Sequence, residues 1–313
     1  MKRFCIKTFI IILPAFIIAI LIEYALRNIP NDYSYKKTYM DQNSNQIETL
    51  ILGGSHTYYG LNPVYFENRT FNDAYVSQSL DLDYEIFKKY SDQLLQLKTI
   101  IIPISYPSLF GTLSQTPESW RMKNYVVYRD IGTLFFFDQL EVLSRKFSDN
   151  VSMIVKFYVK NESIGDCSDL GWGTSFQSDN SFDLDETGRS AAIRHSIESY
   201  PNASIFRETS KKIEAILDSF IASCELKNVH VLLITTPCYV SYRENLDNEQ
   251  LKMTMDIVYN ITQRHQNCAY INMLADSSFR AEDYCDADHM NEIGAKKLSL
   301  KVNEILKKMN EKQ

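Results

Sequence analysis

Two short stretches carry the residue types from which acyl-transfer chemistry is built: "GGSHT" at 53–57, and "DADH" at 286–289. A serine hydroxyl is a poor nucleophile until a base accepts its proton. The base needs a carboxylate that fixes its tautomer and stabilises the imidazolium. On this reading Ser55 is the nucleophile, His289 the base and Asp286 its orienting partner. His56 reads as a packing or hydrogen-bonding neighbour, because a base directly following in sequence seldom reaches the preceding hydroxyl. Asp288 reads as a solvated or helix-capping carboxylate, and Asn291 as the N-cap of a last helix. Asp286, Asp288 and His289 have no distant cluster of further ligands, so no metal is expected, and no cofactor.

The elements that must bring these stretches together follow from hydrophobic patterning. Residues 48–53 ("ETLILG"), 70–76, 98–104 ("KTIIIPI"), 229–235 ("VHVLLIT") and 268–272 read as strands. Their continuous β-branched runs are those of strands buried on both faces. Helical periodicity marks 80–97, 206–226, 247–266 and 291–309. The alternation predicts an α/β fold, a doubly wound, flavodoxin-like parallel sheet of five strands. Such sheets bind ligands beyond the carboxyl ends of their strands, where the winding reverses. Ser55 falls just past the first strand, and Asp286 and His289 fall on a loop before the last helix.

At these residues the chain resembles the SGNH (GDSL-type) hydrolase superfamily. "GGSHT" is similar to its first block, with Gly54 where the usual aspartate stands, and "DADHMNEIGA" to its last, Asp-x-x-His. With the N-terminal apolar run, the resemblance is to the extracytoplasmic branch. That branch includes proteins for O-acetylation of surface polysaccharides and for D-alanyl transfer, often paired with a multi-spanning membrane acyltransferase. The resemblance implies the same triad of Ser55, His289 and Asp286, and a serine esterase or O-acyltransferase acting on acyl groups of a cell-surface glycan. It also implies an oxyanion hole built from the Ser55 N–H, a residue after the second strand (Ser77, with Gln78 beside it) and a side chain after the third (Ser105 or Tyr106). The family's glycine and asparagine are missing at those two places, which points as a second reading to a catalytically weak accessory or glycan-binding protein. A metal-dependent phosphoesterase is the third.

The remaining features bound the setting. A net charge of −6 and a pI near 5.5 argue against nucleic acid as partner. "MKRFCIK" precedes an apolar run from Thr8 to Ile22, about 15 residues extensible to roughly the 20 that a bilayer span needs. No small-x-small cleavage site follows, so residues 1–30 are expected to be an uncleaved single-pass anchor in a bacterial cytoplasmic membrane. The basic N-terminus then stays inside and residues 31–313 lie outside. The stretch 105–205 is too long for a plain loop and reads as an insertion, either a lid or substrate platform or a structural elaboration. Candidate substrate contacts are Tyr239, Tyr242 and Arg243 after the fourth strand, Trp172 for stacking on a sugar, and Arg189, Arg194 and His195 for an anionic group. Five cysteines lie outside the apolar run; an oxidising compartment would permit disulfides, but their number is odd and no pairing can be read from the spacing.

Overall fold

The computed structural model of the chain describes residues 2–144, 146–162, 165–199 and 203–311. Two compact units divide it, residues 1–38 with 120–166, and residues 39–119 with 167–313. The expected insertion is therefore not one piece: 120–166 belongs with the N-terminal helix, and the rest belongs with the sheet. The helices in chain order are α1 (Lys2–Arg27), α2 (Asp32–Asn43), α3 (Ser55–Gly60), α4 (Leu80–Tyr90), α5 (Met122–Arg129), α6 (Glu141–Ser144), α7 (Phe147–Ile154), α8 (Leu184–His195), α9 (Ala203–Glu225), α10 (Val240–Arg243), α11 (Asn248–Arg264) and α12 (Glu292–Asn310).

Five strands, β1 (Thr49–Ile51), β2 (Thr70–Asn72), β3 (Thr99–Pro103), β4 (His230–Thr235) and β5 (Cys268–Asn272), form one parallel sheet in the order β2-β1-β3-β4-β5. Every residue of β3 is buried, as its unbroken apolar run requires. The chain passes from β1 outward to β2 and returns to β3 on the other side of β1. The carboxyl ends of β1 and β3 therefore flank the switch point of the winding. α12 packs Leu298 and Val302 on Ile51, Ile101, Leu232 and Ile234. Elsewhere in the unit α4 and α9 meet through Phe87 and Phe220, with ring centroids 5.1 Å apart.

The elements read from the sequence are present, with some boundaries moved. The second strand ends at Asn72, because its side-chain amide turns to serve the carbonyls of Thr57 and Leu61, both at 2.8 Å. α4 stops at Tyr90, well short of residue 97. The stretch 132–147 ("GTLFFFDQLEVLSRKF"), whose sequence also reads as helical, holds among its described residues a 3-10 turn (Phe136–Gln139), the short α6 and the first residue of α7. Cys167, Cys224, Cys238, Cys268 and Cys285 are all free. Among the described residues no single helix is long and apolar enough to cross a membrane; the pair Ile12–Arg27 and Asp32–Gln46, bent by 56°, passes together by length and composition.

Between β1 and the catalytically suggestive serine, the backbone runs against β3. Gly53 has φ +105°, and a Cβ built there would lie 2.0 Å from Pro103 Cγ. Only glycine meets both demands. Gly53→Ala combines a left-handed penalty with a clash against a rigid ring, so it is expected to lower stability by about 2–4 kcal/mol. Urea unfolding of the two proteins measures the difference.

Candidate active site

Ser55 is the first residue of α3, with Gly54 as its N-cap. Its turn is tied down from below by Asp83, whose Oδ1 accepts from the Gly53 N–H at 2.9 Å and from Gln78 Nε2 at 2.7 Å. Asp83 is fully enclosed, and burial pushes its carboxyl up to about 7, against the pull of those two donors. This one carboxylate links the turn after β1 to the loop after β2.

Asp286 and His289 face each other across a tight hairpin of β6 (Tyr284–Asp286) and β7 (His289–Met290). The three-residue spacing has a geometric reason. Asp286 Oδ1 accepts the backbone N–H groups of Asp288 (3.1 Å) and His289 (2.9 Å), and also lies 2.9 Å from Nδ1 of the His289 ring. The hairpin is held in turn by the Tyr239 N–H on the Ala287 carbonyl (2.7 Å) and by Asn291. Asn291 caps α12 through Ile293 and Gly294, and its amide donates to the carbonyls of Glu282 and Tyr284. His289 Nε2 then lies 2.7 Å from Ser55 Oγ. A hydroxyl, an imidazole and a carboxylate thus form one hydrogen-bonded line.

Around this line stand residues to which the sequence reading gave no part in the chemistry. The His56 ring stacks on His289 (centroids 4.9 Å apart, 11° between planes). Phe176 and Tyr59, stacked on each other at 4.0 Å, present their faces or edges at right angles to it. Asp288 is not solvated and caps nothing; it is 2% exposed, and its Oδ2 accepts no hydrogen bond among the described residues. That carboxylate lies 3.5 Å from His289 Nδ1, 3.6 Å from His56 Nε2 and 3.7 Å from His195 Nδ1. Tyr59 is one helical turn past Ser55, a signal present in the sequence. Phe176 and His195 arrive from the insertion and have no local signal.

Charge organises the cluster. Burial draws the His289 imidazole down, but the Asp288 and Asp286 charges overcome it and carry it up to about 10. Burial would likewise raise the Asp288 carboxyl; the facing His289 and His56 imidazoles instead hold it well below the usual carboxylate range. Burial lowers His195 to about 4, more than Asp288 raises it, so this imidazole is neutral at pH 7 and shares its Nδ1 with the Tyr242 hydroxyl at 2.9 Å. Ligand atoms of His56, Asp288 and His289 lie within 4.8 Å of one another, a spacing a metal ion could bridge. Both nitrogens of His289, however, already face Ser55 and Asp286.

A cavity of about 450 Å³ opens beside Ser55 and His289, with Ser77, Ser105, Phe176, Arg194 and His195 in its wall. The N–H groups of Ser55 and Ser77 have no partner among the described residues. Ser77 holds φ +61°, a left-handed conformation that glycine adopts without cost. Seven expected site residues lie elsewhere or are already engaged. Gln78 cannot supply an oxyanion donor: its amide is used by Asp73 and Asp83, and its N–H by Tyr75. Tyr106 is buried, its hydroxyl accepting from the Asp247 N–H. Trp172 lies in the core with its indole N–H on the Tyr59 carbonyl at 2.6 Å, so it cannot stack on a sugar. Tyr239 and Tyr242 are absent from the cavity wall, as are Arg189 and Arg243; Tyr239 holds the hairpin by its backbone, and Tyr242 is 1% exposed and holds His195.

No family model and no curated protein matches the chain. Among solved structures it is similar to one described as a candidate platelet activating factor from Streptococcus pneumonia, at 9% identity and a TM-score of 0.42, covering 93% of this chain and 99% of that one. A likeness that distant carries no functional weight.

If the Asp288 charge raises His289, removing it lowers His289 without touching the bond to Asp286. In Asp288→Asn the His289 imidazole is expected to titrate at lower pH than in the wild type, and the neutral His195 is expected to fall as well because it too loses a favourable charge. Ring-proton NMR titration reads both; an unmoved His289 would contradict the charge assignment.

Proposed function

We propose that the chain is a serine esterase or O-acyltransferase of the SGNH type, anchored in a cytoplasmic membrane and acting outside it on acyl groups of a cell-surface polysaccharide. The observation that carries this reading is the 2.7 Å approach of His289 Nε2 to Ser55 Oγ, with Asp286 on the opposite nitrogen at 2.9 Å. Ser55 Oγ attacks the carbonyl carbon of an acyl ester or thioester while His289 takes its proton. Asp286 holds the imidazolium so formed, and the oxyanion meets the N–H groups of Ser55 and Ser77. Collapse expels the alcohol or thiol, which takes the proton from His289 and leaves an ester on Ser55. Water or a sugar hydroxyl, deprotonated by the same His289, then attacks that ester and frees Ser55. The free N–H groups at 55 and 77 and the serine hydroxyl of Ser105 in the same wall support the acyl chemistry. Arg194 in that wall suits an acceptor or donor with negative charge.

Membrane anchoring is supported by α1, 26 residues long, whose Phe9, Ile12, Phe16, Ile18 and Leu21 are all exposed. Apolar side chains exposed all round a helix fit a hydrocarbon surrounding better than water. A multi-spanning acyltransferase as donor partner belongs to the same proposal.

A second reading, a non-catalytic accessory of the same glycan system, is favoured by the two carboxylates that flank His289 Nδ1, Asp286 at 2.9 Å and Asp288 at 3.5 Å. An imidazole carried to about 10 is protonated at pH 7 and cannot accept the serine proton. The two readings part on labelling. The enzyme reading expects a fluorophosphonate to modify Ser55, and Ser55→Ala to lose at least about 10³-fold in ester cleavage. The accessory reading expects no labelling at any pH. For the enzyme, the base works only once it has lost its proton, so kcat/KM is expected to rise about tenfold per pH unit below about 10. A pH profile on a nitrophenyl acetate reporter checks this. Loss of surface-glycan acylation in cells carrying Ser55→Ala, read by mass spectrometry, tests the substrate assignment.

A further inference from the structure

The unit formed by residues 1–38 and 120–166 exposes an apolar surface beyond α1 that the acyl chemistry does not use. Phe135, Phe136 and Phe137 stand in succession 85%, 69% and 70% exposed. Along α7 and the π turn that extends it to Val159, Phe147, Val151, Val155 and Tyr158 are exposed at spacings of four, four and three, one stripe of a helix. Lys146, Lys156 and Lys160 are exposed on the same segment. Apolar residues along one side of a helix with lysines on the other side are the signature of a helix lying in a membrane interface.

The position of this surface along α1 identifies its occupant. The Val142 N–H donates to Glu23 Oε2 at 2.8 Å, Arg27 Nη2 donates to the Gln139 carbonyl at 2.9 Å, and the Tyr158 hydroxyl donates to the Ala25 carbonyl at 3.0 Å. Residues 135–144 and 146–159 therefore form a collar of contacts against the last turns of α1. From Ala25 back to Phe9 the helix rises about 24 Å, the larger part of the roughly 30 Å of a hydrocarbon core. The collar is not loosely attached, since buried Glu141 is held by Lys123 Nζ at 2.6 Å and by the Tyr128 hydroxyl at 2.9 Å.

We propose that this collar is a second membrane-binding surface. Phe135–Phe137 and the Phe147–Tyr158 stripe enter the headgroup and upper acyl region of the outer leaflet. The proposal rests on the reading of α1 as the anchor, and its test separates the two. The full chain is reconstituted into phosphatidylglycerol-containing vesicles of two kinds, one with acyl chains brominated near the headgroup to read position 136 and one with bromine deep in the acyl chains to read position 16. Phe136→Trp and, separately, Phe16→Trp are compared with the wild type, whose Trp120 and Trp172 set the background. Both substitutions replace exposed rings and leave Ser55 and His289 untouched. Loss of the added fluorescence in both variants is the expected result. Quenching at position 16 alone overturns the collar and leaves the anchor standing. Quenching at neither overturns the anchor and the collar with it. An unquenched, blue-shifted signal at 136 means that a second copy of the chain covers the patch, which also overturns the proposal.

Discussion

The imidazole of His289 sits between two carboxylates, and most of what surrounds it serves to keep that arrangement in place. Asp286 reaches it through a hairpin whose turn N–H groups bind the same oxygen that binds the ring. Asp288 reaches it from inside the protein, where no solvent competes. A buried carboxylate with an unpaired oxygen is costly unless cations face it. Here the compensation comes from imidazoles: His289 and His56 hold Asp288 ionised, while His195 remains neutral on Tyr242. The stacked rings of His56 and His289 are neighbours of one carboxylate, so the proton inventory of the cluster belongs to the group as a whole.

The second constraint is steric. Ser55 can present its hydroxyl at the switch point only because the preceding turn presses against β3 at Gly53 and Pro103. Asp83 converts that close approach into a link between two loops, one bearing Ser55 and the other the left-handed Ser77. Donors on both loops are thereby held in one wall of one cavity. A strained backbone at a non-glycine residue persists when its surroundings over-determine it, and the Asp73–Gln78–Asp83 bonds are such surroundings.

What the sequence made legible follows from which features are local. β3 and β4 are continuous apolar runs, and an apolar run of that length has few alternatives to a buried strand. Asp-x-x-His was legible because the hairpin that uses the spacing is itself local. Trp172 and Tyr242 misled because an aromatic residue on a polar segment looks the same whether its ring meets a ligand or the core; only long-range partners, the Tyr59 carbonyl and His195, distinguish the cases. Asp288 misled for the same reason. His289 beside it is adjacent in sequence, while the other two imidazoles that face it, His56 and His195, come from separate segments. The insertion was seen as a length of chain, but its division between two units depends on contacts that carry no pattern in sequence.

The double carboxylate has a kinetic consequence that sets this site apart from a one-carboxylate triad. A base gains reactivity with rising pKa along a Brønsted slope below one, yet below its pKa it loses neutral fraction with a slope of one. Each further increment from Asp288 therefore costs more base than it adds in strength at neutral pH. In the proposed reaction the loss falls on both half-reactions, because the same imidazole would accept a proton from Ser55 and later from the attacking water or sugar. A slowed second step lengthens the life of the ester on Ser55. Water is always present to attack, whereas a glycan hydroxyl must first bind. Slow deprotonation narrows that disparity when the bound acceptor is positioned against His289, since positioning multiplies its rate without changing that of free water. Under the proposed function, the buried carboxylate beside the triad would disfavour rapid turnover of soluble esters and so favour transfer to a bound acceptor.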